Sequence, residues 1–347
     1  MSLILFNWHI FSMNQTWQDF LQHQNALIGN GSVAHFSDPA AELEHTQSGT
    51  IIVDLSQSGL IRFSGEDAQS FLQGQLTCDV NHVNDQLAQI GSYCTPKGRM
   101  LASFHLWKHQ EDYLMQLPIE LCDSIKKRLS MFVMRANVKL TDESDSLIRL
   151  GLAGSGSAAL IEALKDDMLV SVVSHATDRY ELITTPENAP AIWAQLIEHA
   201  KPVGAACWDW LTIRSGVPVV LSATQEEFIP QMINLDRIEG VSFQKGCYPG
   251  QEIVARTHYL GKIKRRMYLA NIPTTEMVVA GDELYSADMV GQSCGKIVNA
   301  APSPNGGVDV LAVIQASSVE AGYICYKQLD GLVLEIIQLP YTLVSVI

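Results

Sequence analysis

Residues 243–256 read Phe-Gln-Lys-Gly-Cys-Tyr-Pro-Gly-Gln-Glu-Ile-Val-Ala-Arg, and this signature segment combines a thiol, two cations and a carboxylate with two glycines and a proline. Glycine permits backbone angles that other residues avoid, so the segment is predicted to display Cys247 on a bend rather than in a strand. Gln251 and Glu252 are predicted to begin a short helix whose amides face the sulfur. The rest of the chain is interpreted as a scaffold around this segment.

Cys247 is the first candidate functional residue. A free cysteine titrates at about 8.5, and nearby cations favour the reactive thiolate. Lys245 precedes Cys247 by two residues and Arg256 follows it by nine, so both are candidate catalytic partners. The alternative is a small buried residue in a structural turn, which is the common fate of a free cysteine. The density of charged residues, glycine and proline around Cys247 favours function.

Length and composition exclude several classes of protein. The 347 residues are 47% hydrophobic and 17% charged, which predicts a folded protein with two or three packed units. A formal net charge of −14 argues against a protein that binds a nucleic-acid backbone directly. No run of 18 apolar residues occurs, so no membrane span is predicted.

The seven cysteines include no Cys-x-x-Cys pair. Their number and spacing do not fit a disulfide framework, a zinc finger or a ferredoxin-type ligand set. Reduced thiols in the cytoplasm, and no metal site of the chain's own, are therefore expected. Residues 1–12 lack a basic region and a cleavage site, which argues against a signal peptide and leaves Met13 as an alternative start.

The hydrophobic pattern predicts an α+β protein, without the Gly-x-Gly-x-x-Gly motif of a dinucleotide-binding fold. A shift to short β-rich runs near residue 260 predicts an α+β region over 14–260, divided near 145, and a C-terminal β-barrel over 261–347. The first predicted elements are a helix capped by Asn14 and ended by Gly29–Gly31, an irregular stretch over 35–50, and strands over 51–55 and 60–63 that meet at a turn. A helix that begins with a capping box at Ser64–Asp67 and a hairpin over 93–107 with a third strand over 113–117 follow. Further helices are predicted over 121–133, 158–164, 191–199 and 208–215, and further strands over 147–152, 169–173 and 180–184.

The signature segment resembles that of the YgfZ family of folate-binding proteins, which support iron–sulfur enzymes. The residues that carry the resemblance are Lys245-Gly246-Cys247-Tyr248-Pro249-Gly250-Gln251-Glu252 with Ala255-Arg256, supported in family order by Gly65–Val80, Lys97-Gly98-Arg99-Met100, Gly216-x-Pro218, Phe228-Ile229-Pro230-Gln231 and Asn234-Leu235. More distantly, the chain is similar to the glycine-cleavage aminomethyltransferases. Those enzymes hold tetrahydrofolate in a ring of α+β units that precedes a C-terminal β-barrel.

The resemblance implies a central pocket for tetrahydrofolate with Cys247 near it. It also implies a role in making or repairing iron–sulfur clusters in client enzymes, such as radical enzymes that methylthiolate tRNA. A monomer in the cytoplasm, without direct binding to nucleic acid or membrane, is the corresponding expectation. The implied cofactor-binding residues are Trp208, which occupies the position of a pterin-facing tryptophan, and Gln231, Tyr248, Gln251 and Glu252.

Three departures from the relatives bear on this expectation. The strand Met100–Phe104 lacks the carboxylate that aminomethyltransferases place beside the reactive folate nitrogen. Arg214 stands where relatives carry a glutamate, and Ser58 stands where some carry a second tryptophan. Two alternatives therefore remain beside the accessory role. One is a folate-dependent one-carbon transferase or demethylase, and the other is a thiol redox or repair protein.

One basic run follows the signature segment, at Lys262, Lys264, Arg265 and Arg266. We expect this run, or Lys245 and Arg256, to attract the glutamate tail of folate, because carboxylates pair well with arginine. The alternative is a solvated strand at the entry to the barrel.

Overall fold

The structure is a computed structural model. It describes residues 13–164, 170–176, 178–261, 263–289 and 291–343. The expectation about residues 1–12 lies outside this part of the chain, and so do Leu169, at the start of a predicted strand, and Lys262 of the basic run.

Helices and strands alternate up to residue 214, and strands dominate after residue 260. The first part contains α1 (Gln15–His23), β1 (Leu27–Gly29), β2 (Ser32–His35), α2 (Pro39–Thr46), β3 (Ile51–Asp54), β4 (Ser58–Ser64), α3 (Ala68–Gln73), β5 (Gln89–Cys94), β6 (Met100–His109), β7 (Asp112–Pro118), α4 (Ile119–Ser130), β8 (Lys139–Asp142), β9 (Ile148–Ala153), α5 (Ser157–Leu164), β10 (Val170–Ala176), β11 (Arg179–Thr184), α6 (Ala189–Leu196), β12 (Lys201–Val203) and α7 (Ala205–Arg214). The second part contains α8 (Gln251–Leu260), β13 (Arg265–Ile272), β14 (Glu283–Tyr285), β15 (Gly295–Pro302), β16 (Val308–Gln315), α9 (Ala316–Ala321), β17 (Cys325–Tyr326) and β18 (Glu335–Ile337).

Three larger sheets organise these elements. The first sheet is antiparallel, in the order β5-β6-β7-β4-β8. The second has the order β10-β11-β9-β3-β12, and only β12 runs parallel to its neighbour. The third is a six-stranded antiparallel sheet, β17-β14-β15-β16-β13-β18, that curls into a half-barrel. The predicted α+β class is confirmed, and the domain boundaries themselves stay a prediction.

Several local predictions are confirmed in detail. The Asn14 side chain accepts a hydrogen bond from the Trp17 amide at 3.1 Å, so it caps α1 as expected. The predicted hairpin is formed by β5 and β6, and β7 follows it. Helix α7 ends at Arg214, and Gly216 has a φ of +66°, the left-handed conformation that favours glycine after a helix.

Other local predictions are wrong, because tertiary contacts decide these segments. The predicted capping box does not form: Ser64 ends β4, and the Asp67 side chain accepts a hydrogen bond from the Asn137 amide at 2.7 Å. Residues 35–50 contain α2, which Asp38 caps. Helix α1 ends at His23, so Gly29–Gly31 does not terminate it.

The predicted strands over 51–55 and 60–63 exist, but they do not pair with each other. Strand β3 lies in the second sheet and β4 in the first, so the turn between them carries the chain from one sheet to the other. One face of the second sheet packs against α1, α5 and α6. At one end of its other face, Val173 and Ile183 pack against Trp107 and Leu114 of the first sheet. Both faces of the second sheet are therefore covered.

Residues 215–250 form a connecting segment between these sheets and the half-barrel. No strand and no α-helix occurs in it, so its buried backbone groups need partners in other elements. The Met100 amide donates to the Phe228 carbonyl, and the Glu226 amide donates to the Met100 carbonyl. On the other side, the Asn234 side chain donates to the Met267 carbonyl of β13 at 2.8 Å. The connecting segment thus joins the first sheet to the half-barrel.

A buried ion pair fixes the connecting segment to β13. The Arg266 guanidinium donates to both carboxylate oxygens of Asp236, at 2.6 and 3.0 Å, and to the Gln231 carbonyl at 2.7 Å. Both side chains are less than a tenth exposed. Removal of one partner from such a pair leaves an uncompensated buried charge, which typically costs about 3–5 kcal/mol.

We expect Arg266→Gln to lower the free energy of unfolding by about 3 kcal/mol, because Asp236 would remain buried without its cation. Denaturant unfolding would measure the change. Arg265→Gln is the matched control, since Arg265 is the exposed neighbour on the same strand and should change stability by less than about 0.5 kcal/mol. Equal losses in the two variants would contradict the anchoring role of Arg266.

Candidate functional site

The signature segment lies at the surface and displays a thiol. All seven cysteines lie in the described part of the chain, all are free, and Cys247 alone among them is exposed. Gly250 adopts a left-handed φ of +83° and precedes α8, where a side chain would collide with the Thr95 carbonyl and the Gly98 backbone. The predicted bend and the predicted helix start at Gln251 are both present.

Lys245 does not lie free beside the thiol. Its side chain is buried, and its ammonium donates to the carbonyl oxygens of Leu76 and Cys78, both at 2.7 Å. Burial lowers the pKa of Lys245 to about 8, an effect that the nearby Cys78 and Asp79 partly oppose. Lys245 therefore ties the signature segment to the loop after α3, and a direct role at Cys247 stays a prediction.

The remaining predicted site residues divide into buried and exposed groups. Tyr248 is buried, and its hydroxyl has no hydrogen-bond partner among the described residues. Gln231 is buried and donates to the Val254 carbonyl at 2.6 Å, which links the connecting segment to α8. Gln251 is partly buried, whereas Glu252 and Arg256 point to solvent from α8. Their predicted contacts with a cofactor remain untested.

The basic run after the signature segment does not act as one patch. Arg266 is buried in its pair with Asp236, so its charge is already neutralised. Lys264 and Arg265 are exposed. Only these two cations of the described run are therefore available to an anion.

Trp208 lies outside the signature segment and the basic run, and its neighbours differ from those of Cys247. Its indole ring is 8% exposed, with the Arg179 guanidinium 4.0 Å from the ring centroid. Gly151 of β9 lies against the ring, where a Cβ atom would come within 2.6 Å of the indole. Only glycine at 151 permits this packing. The described contacts of Trp208 are with the second sheet and not with Cys247.

Polar side chains from both sheets and from α7 lie around Trp208. Together with the tryptophan we call them the Trp208 cluster: Trp208, Asp209, Arg179, Glu181, His175 and His105. The imidazole rings of His105 and His175 meet edge to face with centroids 4.5 Å apart. His175 lies 6.3 Å from the Trp208 ring, also edge to face. His105 comes from β6 of the first sheet and His175 from β10 of the second, so the cluster lies where the two sheets face each other.

Glu181 is the buried anionic centre of the cluster. Its carboxylate lies 3.0 Å from His175 Nε2 and accepts a hydrogen bond from Gln116 at 2.9 Å. Burial raises the pKa of Glu181 to about 7, an effect that Arg149 and His105 partly oppose. Burial and the charge of Arg179 lower the pKa of His175 to about 3. The pair is thus poised to hold one proton near neutral pH.

Asp209 gives the cluster an accessible carboxylate. Its side chain is open to solvent, yet desolvation raises its pKa to about 6. The charge of Arg179 partly opposes this effect on the pKa of Asp209. The Nε atom of Arg179 is buried and has no hydrogen-bond partner among the described residues. The cluster can therefore bind a ligand that offers both N–H donors and acceptors.

Of these residues, the sequence pattern singled out only Trp208. Arg179 and Glu181 alternate with the apolar Tyr180 and Leu182, a pattern that normally places polar residues in solvent. Here the polar face is covered by α7 and the first sheet. One feature of the sequence could have indicated the cluster. Arg, Glu and His lie on strands of a sheet whose other face is already covered by helices.

No cluster of three or more histidine, cysteine, aspartate or glutamate residues is placed to hold a metal ion within the described ranges. A search of the same residues reveals no helix with the length and apolar character needed to cross a membrane.

Comparisons with known proteins agree with this architecture. The family described as the GCVT N-terminal domain matches residues 16–177. The chain is 34% identical over 243 residues to the tRNA-modifying protein YgfZ of Photobacterium profundum, covering 67% of this chain and 73% of that protein. It is 34% identical over 236 residues to the YgfZ protein of Colwellia psychrerythraea, covering 64% and 72%. The fold is similar to that of glycine cleavage system aminomethyltransferase T from Bartonella henselae, with a TM-score of 0.76 at 16% identity over 94% of this chain and 96% of that chain.

We expect Glu181→Gln to change how stability depends on pH. The folded-state pKa near 7 exceeds the ordinary 4.5, so folding favours the protonated carboxyl between these values. This stabilisation is complete below pH 4.5 and is lost as pH rises to 7. Relative to Glu181→Gln, the wild-type protein should lose about 3 kcal/mol of unfolding free energy over this window. Denaturant unfolding at several pH values measures it, and parallel pH curves would contradict it.

Proposed function

Since the chain belongs to the YgfZ family of tRNA-modifying proteins, we propose that it is a tetrahydrofolate-binding accessory protein of tRNA modification. In this role it supports the synthesis or repair of iron–sulfur clusters in client enzymes, such as radical enzymes that methylthiolate tRNA. Cys247 is its functional thiol. The observation that carries the folate part is the Trp208 ring with the Arg179 guanidinium 4.0 Å from its centroid, next to the exposed Asp209 carboxylate on the same helix.

The Trp208 cluster fits the pterin of a reduced folate. The amino-pyrimidinone edge of a pterin presents N–H donors, and a carboxylate accepts such bonds strongly. Asp209 supplies this carboxylate. Arg214, at the position where relatives carry a glutamate, lies 3.7 Å from Asp309 and is directed toward the half-barrel. Asp209 would therefore replace the missing glutamate from the same helix, and Trp208 with Arg179 would form a wall of the pocket.

When bound, a reduced folate supplies a carrier for one-carbon groups. The residues of this chain would hold the pterin at Asp209 and shield it from water with Trp208. The pair of Glu181 and His175 would keep one proton at the rear of the pocket near neutral pH. The residues of this pocket would thus bind the folate and hold a proton beside it.

The strand that carries the catalytic acid in aminomethyltransferases supports the accessory role over the transferase alternative. Met100 and Ala102 of this strand are fully buried in apolar surroundings. The Ser103 hydroxyl is engaged, since it donates to the Pro218 carbonyl at 3.1 Å and accepts from the Val220 amide at 2.9 Å. The strand therefore offers no carboxylate and no free hydroxyl to a folate nitrogen.

Cys247 differs from the other thiols in its access to other proteins. The remaining cysteines are buried, and burial raises the pKa of their thiols, to about 12 for Cys78, Cys94 and Cys122 and to about 11 for Cys207 and Cys294. A neutral buried thiol neither attacks nor ligates efficiently, because the thiolate is the reactive form. An exposed cysteine on a rigid bend is therefore the thiol that a client enzyme could reach.

We expect Asp209→Asn to weaken binding of 5-formyltetrahydrofolate at least tenfold, because charge-assisted hydrogen bonds contribute roughly 1.5–3 kcal/mol. Isothermal titration calorimetry measures the affinity. Asp123→Asn removes the same charge from the exposed surface of α4 and serves as the matched control. Unchanged affinity in Asp209→Asn would place the folate elsewhere.

The thiol role calls for a separate test with Cys247→Ala. We expect this variant to bind the folate with unchanged affinity but to fail to restore tRNA methylthiolation in a strain that lacks the gene. Intact folate binding shows that the variant is folded, so a loss of complementation is attributable to the sulfur. Full complementation would contradict the functional thiol, and one-carbon turnover by the purified protein alone would favour the transferase alternative.

A further inference from the structure

A second cavity lies apart from both the Trp208 cluster and Cys247. It has a volume of about 550 Å³ and opens between the hairpin turn of the first sheet, the connecting segment, the end of α8 and the half-barrel. We call it the Arg99 cleft. Its charged lining consists of Arg99, Lys264, Arg265, Lys296, Glu227 and Glu283.

The cleft is cationic in a protein that is otherwise strongly acidic. Four cations and two carboxylates line it, so positive charges exceed negative ones by two, whereas the whole chain carries a net −14. Lys264 and Arg265 are exposed, and neither lies within 4 Å of a carboxylate among the described residues. A cluster of one sign in a concave site concentrates counter-ions of the other sign.

The other charges in the cleft are held by contacts within the protein. Lys296 lies 2.8 Å from the Glu227 carboxylate, and Arg99 donates to the Glu227 carbonyl at 2.7 Å. Glu283 accepts a hydrogen bond from the Tyr285 hydroxyl at 2.7 Å. Glu227 thus positions two cations at the rim, and it also competes with any anion for Lys296.

The lining of the cleft also includes apolar side chains, and backbone hydrogen bonds hold its elements in place. Phe228 and Ile229 of this lining are buried, and the Phe228 carbonyl is fixed by the Met100 amide at 2.9 Å. Lys264 is held through its carbonyl, which accepts from the Ala316 amide, and Arg265 is paired with Gln315 in the half-barrel. A ligand of this cleft would therefore have anionic groups for the cations and an apolar portion for the apolar side chains.

We propose that the Arg99 cleft binds a small organic polyanion, with two or more closely spaced carboxylate or phosphate groups on a flexible chain. Arginine binds carboxylates and phosphates through two parallel hydrogen bonds, and lysine binds both as a compact point charge. A chain of γ-linked glutamates and a diphosphate ester are two sources of this chemistry. The volume of about 550 Å³ lies in the range of small-molecule sites.

Calorimetric titration with tri-γ-glutamate and, separately, with inorganic pyrophosphate tests the proposal. We expect one equivalent of at least one probe to bind, with an affinity that falls as salt rises from 50 to 200 mM. A preference for tri-γ-glutamate identifies a carboxylate chain, and a preference for pyrophosphate identifies a phosphate ligand. Absence of binding by both probes at 50 mM salt would overturn the proposal.

A double variant and a matched control separate the effect of the cleft from general electrostatics. Lys264→Glu/Arg265→Glu should weaken probe binding at least tenfold. Lys126→Glu/Lys127→Glu makes the same change in net charge on α4, outside the cleft, and should change the affinity less than twofold. Equal weakening in both double variants would overturn the site. Unchanged binding of 5-formyltetrahydrofolate in the cleft variant would distinguish this site from the Trp208 cluster.

Glu227→Gln provides a test with a gain rather than a loss. The change frees Lys296 from its carboxylate partner, so the probe should bind several-fold more tightly. A merely structural role for Glu227 would instead leave the affinity unchanged or reduce it, which would contradict the proposed competition. Thermal unfolding of each variant checks that the fold is retained.

Discussion

The buried backbone of the connecting segment, residues 215–250, is the constraint on which the rest of the structure depends. This segment has no ladder of its own, so its polar groups must find partners in the first sheet and in the half-barrel. Met100 and Thr77 provide such partners on one side, and Met267 and Arg266 on the other. The signature segment overlaps the C-terminal end of the connecting segment. Lys245 fixes the signature segment to the loop after α3 through hydrogen bonds to two carbonyl oxygens. The position of Cys247 is therefore a consequence of how the connecting segment is held.

Helix α7 joins the candidate pocket to the half-barrel. Trp208 packs on Gly151 of the second sheet, whereas Trp210, two residues later, donates to Asp309 of β16 at 2.9 Å. Asp309 also lies 3.7 Å from Arg214. One turn of helix thus contacts both the second sheet and the half-barrel within one hydrophobic core, and Arg214 forms its ion pair on the half-barrel side. This arrangement leaves Asp209 as the accessible carboxylate on the pocket side.

The three candidate sites differ in how far their side chains are exposed to solvent, and each suits a different kind of partner. The Trp208 cluster is deep and holds titratable groups whose pKa values are shifted by burial, which suits the recognition of a heterocycle. Cys247 lies on an exposed bend, which suits contact with another protein. The Arg99 cleft is lined by four cations and two carboxylates, and this excess of positive charge attracts anions.

The sequence by itself determined the α+β class, the hairpin of β5 and β6, the cap at Asn14 and the bend at Gly250, because short-range hydrogen bonds and backbone angles decide these features. It also pointed to Cys247 and Trp208. Only the tertiary structure decided that Lys245 and Arg266 are anchors, that β3 and β4 belong to different sheets, and that Arg179 and Glu181 face a covered recess rather than solvent. The physical reason is that alternation along a strand distinguishes its two faces but does not tell which of them another layer will cover.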